Sequence, residues 1–161
     1  MLVSRRKRKE KKNITVYLNS KTLSQVTQMK YLGITLDHKF RFQDHITYAA
    51  DRCTKIIHSL TKVAKMTWGI KHAAIDTIYK GAILPLLSCG VPIWIQAMNY
   101  EHNRRKYIRL QRLINIRMAK AYQTTSNEAL CMLTGTTPII IKLEEIAQCY
   151  KAKVSTENCK M

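Results

Sequence analysis

The chain has 161 residues, 46% of them hydrophobic, which is enough to bury a core and argues against a disordered polymer. Lysine and arginine number 28 against 10 acids, a net charge of +18, and a chain this cationic repels itself unless an anion neutralises it. Nucleic acid is the commonest such partner, an acidic membrane surface the weaker alternative. Cys53, Cys89, Cys131, Cys149 and Cys159 are odd in number and widely spaced. That pattern suggests buried free thiols in a reducing compartment, and with no CxxC pair it argues against a structural zinc site.

The expected fold is α+β and mostly α: short N-terminal β-hairpin strands, then a bundle of about five helices. Residues 1–12 form a basic segment, with seven bases and one acid between Arg5 and Lys12. This run is either a localisation or nucleic-acid clamp or a charged hairpin tip. It has no apolar region behind it and does not read as a signal peptide, so the chain is expected to be nuclear or cytoplasmic rather than secreted.

Residues 13–40 read as extended. Ile14, Val16 and Leu18 alternate with Thr15 and Tyr17, Asn19-Ser20 supplies a turn, and Leu23–Val26 and Met29–Leu36 continue the pattern. Two or three such strands are too few for an independent sheet.

Residues 41–153 read as helical. Asp44 is the expected N-cap of a first helix whose apolar stripe runs Ile46, Ala49, Ala50, Cys53, Ile56, Ile57, Leu60, Val63 and Ala64, with Trp68-Gly69 ending it. A second stripe runs Ile75, Ile78, Tyr79, Ala82, Ile83 and Leu86, kinked or split by Pro85. The stretch from Gly81 to Tyr100 carries no charge and has bilayer-spanning length. Its Pro85, Ser88, Gly90, Pro92, Gln96 and Asn99 make it a buried, broken helix rather than a membrane span.

A third helix, from about Tyr100 to Tyr122, buries Tyr107, Leu110, Ile114, Met118 and Ala121. Thr125-Ser126-Asn127-Glu128 is a capping box for a short helix ending near Gly135. Thr137-Pro138 opens the last helix, with the stripe Ile140, Leu143, Ala147 and Tyr150 and a frayed tail over 154–161.

The third helix carries the main functional signal. Arg105, Arg109 and Arg112 fall at i, i+4 and i+7 on one face, flanked by Arg104, Lys106 and Arg117. Guanidinium groups so spaced can follow phosphates, and Tyr100, Tyr107 and Tyr122 lie near enough in sequence to stack on sugars or bases. The bland alternative is a solvated face, but few acids follow Glu101 to mix the signs.

Catalytic chemistry is poorly represented. Two-metal phosphoryl transfer needs converging carboxylates, whereas Glu144 and Glu145 are consecutive on a helix and diverge by about 100°. No metal ligands and no catalytic residues are assigned.

The order of landmarks resembles insect LINE-type, non-long-terminal-repeat retrotransposons. Tyr31-Leu32-Gly33 within Lys30–Asp37 resembles the last palm motif of their reverse transcriptase, the primer-grip turn, and Phe42-Gln43-Asp44-His45-Ile46 resembles the F-x-x-H-I that opens the thumb. Tyr79–Pro85, Gly90–Trp94, Gln111-Arg112, Ala121–Ser126 and Gly135–Ile139 are similar to later segments of the same family, so the likeness covers roughly residues 14 to 150. Gln123 stands where that family usually has arginine.

The resemblance implies the edge of a palm followed by a thumb, holding an RNA–DNA primer–template, with a full-length reverse transcriptase as a further partner. The parent polymerase would use Mg on aspartates of a Phe-Ala-Asp-Asp motif that has no counterpart here. No cofactor is therefore expected in this chain, and none of its own polymerase activity. The competing reading is a relic or protein-interaction module without a nucleic-acid role.

Overall fold

The computed structural model describes residues 15–66 and 70–158. The basic run from Arg5 to Lys12, Ile14 and the Trp68-Gly69 stop lie outside the described residues, as do the side chains of Val63 and Ala64. The α+β, mostly α expectation holds: two small antiparallel strand pairs precede the helices.

Strands β1 (Val16–Leu18) and β2 (Lys21–Leu23) form one hairpin, and β3 (Gln28–Tyr31) and β4 (Ile34–Asp37) a second. Each is closed by two residues with positive φ, Asn19 at 48° and Ser20 at 60°, then Leu32 at 47° and Gly33 at 84°. That is the mirror-image turn whose twist matches paired strands. The side chains of β1, β2 and β3 are all exposed. Strand β4 is anchored in the core through Ile34, which is buried beside α1.

A loop with positive φ at Phe40 and Phe42 leads into α1 (Gln43–Met66). Asp37, not Asp44, organises this entry. Its carboxylate accepts from the backbone N–H of Lys39, Arg41 and Phe42 at 3.2, 3.1 and 2.9 Å. Partial burial works to raise the Asp37 pKa, but the converging N–H groups outweigh it and hold the acid below its ordinary value. Asp44 lies in the first turn and accepts from the Gln28 side chain at 2.5 Å. The expected α1 stripe is recovered: Ile46, Ala49, Ala50, Cys53 and Ile57 are buried, and Ile56 and Leu60 are half-buried.

The second stripe differs in register. Helix α2 (His72–Ile78) passes through a π-helical turn, Tyr79–Ile83, into α3 (Leu84–Ser88). The buried row is Ile75, Tyr79, Ile83, Leu87 and then Val91, a strict four-residue repeat. On a regular α-helix such a repeat drifts by about 40° per step. The wide turn, in which the Leu84 N–H reaches the Tyr79 carbonyl, turns the row back toward the core. Pro85 follows it directly and withholds one N–H from a helix that runs on from α2 without a break. Ile78 and Leu86 are consequently half-buried and Ala82 exposed.

Gly90, at φ 65°, ends this stretch, and α4 (Val91–Trp94) and a 3₁₀ turn, Ile95–Asn99, complete the uncharged segment. A Cβ on Gly90 would strike the Ile34 side chain. The segment is packed: Ile83, Leu87, Val91, Trp94, Ala97 and Met98 are core residues. Among the described residues no single helix is long and apolar enough to cross a membrane, and the two apolar pieces here meet at 45°.

Helix α5 (Glu101–Ala119) runs through the middle, packing against α1, α6 (Asn127–Thr134) and α7 (Ile139–Asn158). Tyr107, Leu110, Ile114 and Met118 are buried as expected, and Ala121 is half-buried. Tyr107 stacks on Trp94 with ring centroids 6.0 Å apart and planes 3° from parallel. Three polar residues share that face. Asn103 donates to the Ala97 carbonyl at 2.8 Å, and Asn115 donates to the Thr136 hydroxyl at 3.0 Å. Gln111 donates to the Thr137 carbonyl at 2.7 Å and accepts from the Ile139 N–H at 2.8 Å.

Ser126, rather than Thr125, caps α6, accepting from the Ala129 N–H at 3.3 Å, and Gly135 in the left-handed region ends it. Pro138 sits just before α7, its carbonyl taking the first helical hydrogen bond from Lys142. Helix α7 buries Ile139, Ile140, Leu143 and Ala147, leaves Tyr150 exposed, and continues to Asn158, through the first five residues of the segment expected to fray. Of the described cysteines only Cys53 is buried; Cys131 is half-buried and Cys89 and Cys149 are exposed, against the expectation of buried thiols.

Candidate nucleic-acid interface

The six cations assigned to α5 do not share one environment. Lys106 and Arg117 point into the seam with α1. The Lys106 ammonium donates to the Thr47 hydroxyl at 2.6 Å, and Arg117 donates to the Thr61 hydroxyl at 2.7 Å and the Leu113 carbonyl at 2.6 Å. Burial pulls the Arg117 pKa down from its ordinary value. Arg112 reaches across to the connector before α6, donating to Asn127 Oδ1 at 2.8 Å and the Gln123 carbonyl at 2.5 Å. Together with Gln111 it makes a two-residue clamp, one side chain holding the start of α7 and its neighbour the start of α6.

Arg104, Arg105 and Arg109 are left exposed on the outer surface. Arg105 pairs with Glu101 at 2.9 Å, both side chains about two-thirds exposed, and such a pair contributes only a few tenths of a kcal/mol. Arg104 and Arg109 make no ion pair among the described residues. The accessible basic surface of this helix is therefore the trio Arg104, Arg105 and Arg109. Tyr100 and Tyr122 are exposed near its two ends, while Tyr107 is in the core.

Tyr31, Leu32 and Gly33 stand at the tip of the second hairpin, with Tyr31 and Leu32 exposed. Leucine in the left-handed region is strained by about 1–2 kcal/mol, and its side chain projects into solvent with 82% of its surface exposed.

Beside this turn lies a cleft of about 380 Å³ between the hairpin, α1 and α3. The Lys30 ammonium sits 5.1 Å from the centroid of the Tyr48 ring and the Arg52 guanidinium 5.8 Å from it. Their charges, Lys30 first and Arg52 second, lower the Tyr48 phenol pKa. His45 lines the same cleft and is buried, edge-on to Trp94 at 5.8 Å. Its Nδ1 accepts from the Thr35 N–H at 3.4 Å, which leaves Nε2 as the protonated nitrogen. Nε2 has no hydrogen-bond partner among the described residues. Burial pushes the His45 pKa down, and the Cys89 carbonyl, which also accepts from Trp94 Nε1 at 2.7 Å, works in the other direction.

Sequence reasoning missed this second group. His45, Tyr48 and Arg52 fall at i, i+3 and i+7 on one helix face, a spacing legible in the sequence, but Lys30 comes from a strand and no periodicity joins it to them. Lys30 and His45 also fall inside the two landmark motifs. Among the described residues no three His, Cys, Asp or Glu side chains come together as metal ligands.

Comparison with known proteins supplies the context. No protein-family model matches the chain, and no solved structure matches it. It is 33% identical over 82% of its length to a retrovirus-related Pol polyprotein from the type-1 retrotransposable element R1 4 of Nasonia vitripennis. It is 27% identical over 88% of its length to the Pol polyprotein from R1 2 of the same organism. It is also 29% identical over 87% of its length to the RNA-directed DNA polymerase from the mobile element jockey of Drosophila melanogaster. The chain spans about a third of the two Nasonia proteins and 15% of the Drosophila one. Over most of its length, this chain is homologous to a segment of the polyproteins of insect LINE-type, non-long-terminal-repeat retrotransposons.

Proposed function

We propose that this chain is the primer–template-holding part of a LINE-type reverse transcriptase: a palm-edge hairpin followed by a helical thumb that grips an RNA–DNA hybrid without supplying catalytic aspartates. The observation that carries this reading is the exposed trio Arg104, Arg105 and Arg109 on the outside of α5, in a chain with net charge +18. Its relatives include an RNA-directed DNA polymerase. Tyr31, Leu32 and Gly33 supply the primer-facing turn, and magnesium belongs to the polymerase body that would carry the aspartates.

The test is binding of the purified chain to an RNA–DNA primer–template across a salt series. Saturable binding that weakens steeply with salt supports the reading, since phosphate contacts release counterions. The Arg104→Glu, Arg105→Glu, Arg109→Glu triple variant should abolish that binding while keeping its helical content. Affinity unchanged in the triple variant would sink the assignment.

A second reading rests on a different observation. Val16, Tyr17, Leu18, Leu23 and Tyr31 are exposed on the two hairpins, which favours an interaction module whose partner is the polymerase body. Absence of hybrid binding together with capture by a full-length reverse transcriptase would favour it.

A further inference from the structure

We propose that the cleft formed by Lys30, His45, Tyr48 and Arg52 is a binding site for one backbone phosphate of a nucleic-acid strand, separate from the arginines of α5. This inference rests on the primer–template reading for the source of the phosphate, but not for the site itself.

Three features converge on an anion. Lys30 and Arg52 crowd the same exposed ring, and neither makes an ion pair among the described residues. Two cations brought together without a carboxylate repel, and an oxyanion between them removes that cost. Of the acids on α1, Asp44 accepts from Gln28, and neither Asp44 nor Asp51 makes an ion pair with Lys30 or Arg52 among the described residues. Second, His45 lines the cleft with a buried Nε2–H that makes no hydrogen bond among the described residues, the Cys89 carbonyl nearby being shared with Trp94, and a weakly satisfied buried donor gains from a ligand acceptor. Third, the cleft is open where a strand would enter. Gly33 lines it, and nothing stands within 4 Å of the place a Cβ would occupy, so a backbone can approach closely there.

The site also has the dimensions for its ligand. A volume of about 380 Å³ admits a phosphodiester with part of its sugar. Two cations stand 5.1 and 5.8 Å from the centroid of the exposed Tyr48 ring, so the site offers charge beside that ring. A phosphate held here lies beside the Leu32-Gly33 turn, which places the turn against the strand that carries it.

The experiment uses the whole chain, labelled at histidine nitrogen, with inorganic phosphate as the first probe and the RNA–DNA hybrid as the second. In the wild type, inorganic phosphate should shift the His45 Nε2–H resonance, and the Lys30→Gln, Arg52→Gln double variant should lose that shift while keeping its amide spectrum. Against the hybrid, the same variant should lower the magnitude of the log affinity against log salt slope by about 1, the signature of one phosphate contact. If the wild type binds the hybrid but phosphate does not move the His45 signal and the double variant keeps the wild-type slope, the site is overturned and the primer–template reading survives. If phosphate moves the signal but the wild type binds no hybrid even at low salt, the primer–template reading falls and the phosphate site stands, with free phosphate or a nucleotide as its source.

Discussion

Gln111, in the middle of α5, accepts the Ile139 N–H at 2.8 Å and donates to the Thr137 carbonyl at 2.7 Å, so one helix caps another through a single buried side chain. The first N–H groups of a helix have no partner within it. Here the residue that would normally fill the gap is Pro138, which has no side-chain acceptor, and the acceptor arrives from elsewhere in the chain.

Replacing Gln111 with Ala should therefore leave a donor and an acceptor of the main chain buried and unpaired. The expected loss is about 2–4 kcal/mol of unfolding free energy, read as a lower midpoint in urea. Gln111→Glu keeps the acceptor but loses the donor and should fall between. A variant within 0.5 kcal/mol of wild type, on the order of a surface substitution, would show that the start of α7 is not held this way.

Gly90 and Gly33 both have positive φ, but for different environments. Alanine at Gly33 meets open space and carries only the backbone strain, about 1 kcal/mol. Alanine at Gly90 adds a collision with Ile34, which is itself buried, and should cost about 2–4 kcal/mol. Thermal unfolding of the two variants side by side checks the ranking. Equal losses would mean that α4 and β4 separate without cost.

Leu32 should be replaceable with gain. Asn-Gly is the preferred pair for a two-residue hairpin turn of this type, and asparagine tolerates the left-handed region that strains leucine. Leu32→Asn is expected to raise stability by about 0.5–1 kcal/mol. Binding of the RNA–DNA hybrid is the more informative readout, because a variant that is both more stable and weaker in binding marks the exposed leucine as a contact. A less stable variant contradicts the strain argument.

Stability should be level between about pH 6.5 and 9 and decline on both sides. On the acid side, burial lowers the His45 pKa below 6.5. The unfolded chain then takes up a proton that the folded chain refuses, and stability is lost as pH falls. On the alkaline side, burial pushes the Cys53 thiol from 9.0 up to about 12 and raises the Tyr79 phenol above its ordinary value. The unfolded chain loses those protons first, so stability is lost as pH rises above about 9. Urea midpoints across pH test the window, and His45→Gln should flatten only the part of the acid limb that begins near pH 6.5, leaving the loss at lower pH from Asp37, whose pKa is held below 3.8. Thiol labelling at pH 8 gives an independent check: Cys89 and Cys149 should react at once and Cys53 only on unfolding.

Much of this molecule is written in local pattern. The alternation before residue 37, the α1 stripe, Gly135 as a helix stop and the order of the family landmarks are one-dimensional features, set by period and backbone preference. Tertiary packing decided the rest. Ile78 and Leu86 gave way to Leu87 on the buried row because a π-helical turn, invisible to a 3.6-residue period, turns the helix after Tyr79. Arg112 joined the α6 connector, and Lys106 and Arg117 the α1 seam, because a cation near a helix–helix contact finds carbonyls and hydroxyls before it finds solvent. Lys30, His45, Tyr48 and Arg52 meet only because the hairpin folds back onto α1. Composition determined that this chain carries an excess of 18 positive charges; only the fold decided which of the cations on α5 face solvent and which are spent on hydrogen bonds within the protein.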